Sequence, residues 1–173
     1  MVPLPRFIFY LILPACLTAG ELEDYLERYE GRWSGDFTIH STASGYSENF
    51  PVEQRYWLEG KRLRGIGVLQ RQKGIETSTS WTYIEGKKLV SEVTRGEDEE
   101  TYYGVPQDQG ILWISSDLNR AEDYQLIERI VEEEGQRRLR TEGFDTYLYA
   151  EGLAHIVYRG ELVWQGPASP DVE

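Results

Sequence analysis

Groups able to do chemistry are sparse in this chain. It has two histidines, His40 and His155, and one cysteine, Cys16. A single cysteine allows no intramolecular disulfide and no cysteine-based zinc site of the usual composition. His40 is followed by Ser41, but neighbours on an extended strand point to opposite faces, so the pair forms no nucleophile–base dyad without a turn. The acid runs 97–100 and 132–134 fall at hairpin ends, where alternation splits their side chains between faces. That is the pattern of a solvated turn and not of a calcium loop. No Gly-x-Ser-x-Gly elbow, P-loop, Gly-x-Gly-x-x-Gly, His-Glu-x-x-His or EF-hand loop occurs, which removes the motif-bearing enzyme classes. Lys61, Arg62, Arg64 and the pair Arg137-Arg138 fit strand edges guarded by charge. The expectation is a protein without catalytic activity and without a cofactor.

Charge narrows the partners. Lys and Arg number 18 against 30 Asp and Glu, a net of -12, and such a field repels phosphate backbones and anionic lipid surfaces. Nucleic acid is excluded as an expected partner. A length of 173 residues with 40% apolar content suits one domain with a sizeable core,. Arg6 is the sole charge among the first twenty residues, and it precedes the apolar run 7–13. This run is far below the roughly 20 residues that span hydrocarbon, so residues 1–20 read as a signal peptide. Two processing routes stay open: cleavage near residues 17–20, or lipoprotein processing before Cys16, because Leu13-Pro14-Ala15-Cys16 resembles a bacterial lipobox. Either way the expectation is an exported protein, periplasmic or secreted, whose membrane contact would be a lipid anchor at Cys16.

The barrel domain is expected over 21–165, with a disordered tail at 166–173. Leu22, Tyr25, Leu26 and Tyr29 recur at helical spacing, with acids near the segment's start where the helix dipole favours them. From Gly31 the period becomes two: Trp33, Phe37 and Ile39 share one phase, and Arg32, Ser34, Asp36, Thr38 and His40 the other. The pattern repeats over 52–58, 62–71, 75–84, 88–95, 100–104, 110–115, 124–132, 136–143 and 155–164, with glycine-bearing turns between. Segment 117–123 reads as an exposed loop, and the tyrosine-rich 143–153 as either an irregular strand or a loop across the barrel mouth. Nine or ten short strands with one apolar face cannot stay flat, since twist and exposed edges drive closure. The fold class is therefore all-β: an antiparallel meander closed into a β-barrel with a short N-terminal helix.

The first strand opens on Gly31-Arg32-Trp33-Ser34-Gly35, after a short helix and before a meander. This resembles the Gly-x-Trp start of lipocalin-like barrels, and the Gly-x-Trp-x-Gly form is similar to that of uncharacterised bacterial lipocalin-like domains and, more distantly, of haem-binding nitrobindins. The resemblance implies an indole closing one end of the barrel and glycines that admit close strand approach. The nitrobindin branch implies a haem protein acting on nitrogen oxides, with an axial histidine near the last strand, where His155 stands. Phase argues against it: Ile156, Tyr158, Leu162 and Trp164 share one face, and His155 shares the other with Val157, Arg159, Glu161 and Val163.

The remaining candidate site is the lumen. Trp33, Trp81, Tyr83, Tyr158 and Trp164 occupy phases assigned inward, with Ser78, Ser80 and Thr82 assigned to solvent. Aromatic walls with hydroxyl tips suit a small hydrophobic or amphipathic molecule. The same residues would also fill a solid core, and strand count alone does not decide between the two. A structural or protein-interaction lipoprotein is the further alternative.

Overall fold

The computed structural model describes residues 19–107, 110–117, 123–149 and 152–169. Of the leader read over residues 1–20, residues 1–18, Cys16 included, lie outside the described residues, and Ala19 and Gly20 open α1; residues 118–122 of the expected loop and 170–173 of the tail also lie outside them.

Helix α1 (Ala19–Tyr29) sets Leu22, Leu26 and Tyr29 on one buried stripe,. Ten strands follow: β1 (Gly31–Ser41), β2 (Ser47–Glu59), β3 (Arg62–Arg71), β4 (Gly74–Glu85), β5 (Lys88–Arg95), β6 (Asp98–Gln107), β7 (Gly110–Ser115), β8 (Tyr124–Glu133), β9 (Gln136–Tyr149) and β10 (Gly152–Gly166). Each pairs antiparallel with its sequence neighbour, and β1 also pairs with β10, so the sheet closes into a barrel without a free edge,. Two-residue turns at 60–61, 72–73, 86–87, 96–97 and 134–135 set five of the registers,. The tyrosine-rich stretch continues β9 to Tyr149 and begins β10 at Gly152, which decides its two readings in favour of strand. No helix among the described residues is long and apolar enough to cross a membrane.

The core gathers where α1 closes one end of the barrel. Leu22, Leu26 and Tyr29 pack there with Trp33, Leu89 and Leu139, each buried aliphatic residue contributing about 1.5–3 kcal/mol by leaving water. Trp33 is 1% exposed, and its Nε1 donates to the Tyr29 carbonyl at 2.8 Å, satisfying a carbonyl that the helix end would leave bare. Trp164 Nε1 donates to the Glu30 carbonyl at 3.0 Å. Gly31 has φ +130°, and a Cβ there would stand 2.0 Å from Trp164 Nε1. At Gly35 a Cβ would meet the Glu161 carbonyl at 2.1 Å. Both glycines of the opening motif are thus there for close approach, and the barrel is consistent with a lipocalin-like fold.

Candidate functional site

Strict alternation around a closed sheet sends every second side chain inward, and here the inward set encloses a lumen of about 850 Å³,. Its two sides differ. One is an arc of rings: Phe50 on β2, Phe37 on β1, Tyr158 on β10, Tyr124 on β8 and Tyr102 on β6, with successive centroids 5.8, 6.2, 6.4 and 5.0 Å apart. Gly160 makes room for this arc, since a Cβ there would stand 2.5 Å from the Phe37 ring. The other side, from β3 to β5, carries the small or hydroxyl-bearing residues Gly67, Ser78, Ser80, Thr82 and Ser91 beside aliphatic ones such as Leu63, Leu69, Leu89 and Val93. Thr82 Oγ1 donates to Ser91 Oγ at 3.0 Å.

A carboxylate lies at the inner end of the lumen. Glu128 on β8 sits between Ile111 on β7 and Thr141 on β9 in the sheet. Its Oε2 accepts the Tyr29 hydroxyl at 2.7 Å and the Trp113 indole N–H at 2.8 Å. Tyr25, one turn back on α1, donates to the Glu128 main-chain carbonyl at 3.1 Å. Burial pushes the Glu128 carboxyl above its ordinary value, against the pull of those two donors,. Burial likewise raises the hydroxyls of Tyr29, Tyr56 and Tyr124, and the charge of Glu128 adds to each.

The end away from α1, here the mouth, is tied by ion pairs. Glu48 Oε2 accepts from Arg71 at 2.7 and 2.9 Å and from the Tyr46 hydroxyl at 2.8 Å, while Oε1 accepts the Gln72 amide at 2.8 Å. The hydrogen bonds from Arg71, then that from Gln72, pull the Glu48 carboxyl down to about 2. The Arg71 guanidinium also lies 4.6 Å from the Phe50 ring centroid. On the opposite side Arg95 pairs with Glu100 at 2.7 Å, and Glu100 accepts the Tyr102 hydroxyl at 2.8 Å.

The five residues expected on the lumen wall part company. Tyr158 lines the lumen. Trp33 and Trp164 belong to the packing at the α1 end, where their indoles are held by main-chain carbonyls. Trp81 and Tyr83 require a correction: they stand on the outer face, and Ser78, Ser80 and Thr82, assigned above to solvent, line the lumen. Trp81 is flanked by Arg62 and Arg64, each 4.7 Å from its ring centroid, and Arg62 lies 4.9 Å from Tyr83. These cation–π contacts, with the Tyr83 hydroxyl on Glu92 at 3.0 Å, satisfy the aromatics without a core. His155 is on the outer face, its Nδ1 3.0 Å from Thr146 Oγ1 and its ring edge-on to Phe144. His40 is exposed. No group of three or more His, Cys, Asp or Glu is placed to hold a metal ion among the described residues.

Glu128 is the functional candidate that motif reading passes over. Its signal lies in the phase of β8, where Tyr124, Leu126 and Ile130 face the core and a carboxylate interrupts them. A scan of protein-family models finds no match to this chain, and a search of curated proteins finds none either.

Proposed function

We propose that the protein is a non-catalytic binder of a small amphipathic molecule, held in the barrel lumen. The observation that carries this is the 850 Å³ cavity with an arc of aromatic rings facing a hydroxyl-bearing side, an arrangement that buries an apolar body and offers it a few polar contacts. The rim supports it as well: Ile75, Leu148 and Leu153, on the hairpins at the mouth, are 74%, 81% and 66% exposed and present apolar surface to an arriving ligand. The setting we propose is export, on the strength of the leader reading; intact-mass measurement of the protein from its native host tests that, and a retained Met1 overturns it. The haem alternative draws no support from the lumen, since both histidines stand outside it.

The test of the binding reading is a titration with the apolar dye N-phenyl-1-naphthylamine, whose emission rises when it leaves water. Wild type should enhance the dye. Ser80→Phe, which grows a ring into the lumen from its hydroxyl-bearing side, should suppress the enhancement with circular dichroism unchanged. A wild type that leaves the dye dark, or a Ser80→Phe variant that binds it equally well, overturns the lumen as a binding site.

A further inference from the structure

Resting on that reading, we propose that the lumen takes an ammonium-bearing ligand, a primary or secondary alkyl amine whose cation docks on Glu128 and whose chain lies along the aromatic arc. Four observations converge. Both donors that reach the Glu128 side chain among the described residues, Tyr29 and Trp113, end on Oε2, which leaves Oε1 to the lumen that Glu128 lines. No Lys, Arg or His among them is ion-paired with Glu128. The cations of the lumen wall, Arg71 and Arg95, are each committed to a carboxylate at 2.7 Å, Glu48 and Glu100. Lastly, the phenol rings of Tyr56 and Tyr124 line the same lumen as Glu128.

The physics follows from those placements. An ionised carboxylate half withdrawn from bulk water without a counter-ion is costly, and a ligand cation with an N–H reduces that cost while making a charge-assisted hydrogen bond to the oxygen left to the lumen. Phenol faces around it add cation–π attraction. A fatty acid of the same length brings a second negative charge to Glu128, and an alcohol supplies the hydrogen bond without the charge. The lumen therefore discriminates by head group, while the tail sets only overall affinity.

Decylamine, decanol and decanoate share a tail and differ in head group, so calorimetric titration of the three into wild type and Glu128→Gln isolates the effect. Gln keeps one oxygen to accept from Tyr29 and Trp113, loses the charge, and puts an amide N–H2, to which an alcohol oxygen can still hydrogen-bond, in place of the second oxygen. Wild type should bind decylamine at least about tenfold tighter than decanol, and Glu128→Gln should erase that preference while leaving decanol within about twofold. Lowering the pH provides a second arm that needs no variant. The groups facing Glu128 are Tyr25 and Tyr29 from α1, Tyr56 from β2, Trp113 from β7, Tyr124 on β8 and Thr141 from β9, and Arg28 of α1 donates to the Ile130 carbonyl instead. None of the facing groups titrates in the acid range, so protonation of Glu128 should weaken decylamine and spare decanol. Equal binding of amine and alcohol by wild type, or a preference that survives Glu128→Gln, overturns the ammonium site and leaves the lumen as a general apolar pocket. If none of the three ligands binds, the lumen reading itself fails and this inference with it.

Discussion

At the α1 end Trp33, Leu22, Leu89 and Leu139 are almost wholly out of water, and the Trp33 indole, like that of half-buried Trp164, finishes on a main-chain carbonyl. At the mouth the ties are ionic: Glu48 with Arg71, Arg71 with Glu76, and Arg95 with Glu100. The same ladder of hydrogen bonds runs through both ends, so what differs is how side chains are held. Apolar contact carries no charge to titrate or screen, whereas the ion pairs of the mouth respond to both salt and pH. Two carboxylates, Glu48 buried and Glu128 half-buried on the lumen wall, make the contrast concrete. Glu48 accepts from Arg71, Tyr46 and Gln72 and fills both oxygens; Glu128 fills one oxygen and has no cation. A satisfied carboxylate braces the structure, and a half-satisfied one is available to something else.

The largest effect that could break this contrast is at the α1 end. Trp33→Ala should cost about 3–5 kcal/mol, as truncation of a buried large aromatic does, whereas Ile75→Ala at the rim should stay within about 0.5 kcal/mol. Urea unfolding of both variants checks this, and similar midpoints would mean that the two ends are held alike.

Acid sharpens the contrast next. Glu48 titrates below the ordinary carboxylate range in the folded protein, so the stability it contributes is present above that range and is lost as pH falls through about 2,. Thermal melts of wild type between pH 5 and 2, in round numbers of the ordinary carboxylate range, should fall more steeply than those of Glu48→Gln. Glu128 has the opposite sign. Its carboxyl is raised by burial, so the folded chain holds the proton more tightly than the unfolded one, and the benefit is lost as pH rises. Glu128→Gln should therefore gain on wild type between acid and neutral pH. Parallel pH profiles for wild type and the two variants would remove the distinction between the carboxylates.

The smallest effect is local. Glu134 has φ 53° in the β8–β9 turn, a conformation that costs a side-chain-bearing residue about 1–2 kcal/mol and that asparagine tolerates better. Glu134→Asn should stabilise by about 1 kcal/mol or less, read as a small rise in the urea midpoint.

Much of the barrel was legible because two-residue turns leave little freedom of register. The same arithmetic, applied across the β3–β4 turn, sets Arg64 opposite Trp81. Arg62 and Arg64, read from sequence as strand-edge charges, belong on the solvated face, so Trp81 and Tyr83 share it. The opposite assignment came from treating large aromatics as core, a rule that fails where an arginine pair stacks on them and where the interior is open space lined in part by hydroxyls. The tyrosine-rich segment was ambiguous because its alternation is weak. Glu128 left only the trace of one acid in an apolar phase, and its importance depends on Tyr29 and Trp113, donors from distant parts of the chain that no local pattern brings together.

The seam between β1 and β10 has a consequence for the order of assembly. Every other strand pair joins neighbours along the chain, so nine hairpin-like pairings can form locally and early. The seam sets Trp33 beside Trp164, and the Trp164 indole bonds to a carbonyl 134 residues earlier. That contact carries the largest loop-closure cost in the fold. Until β10 arrives, β1 and β9 are open edges, Gly31 and Gly35 have no β10 to pack against, and the lumen is open along the gap between those edges. The last strand to be synthesised is thus the one that turns a curled sheet into a container.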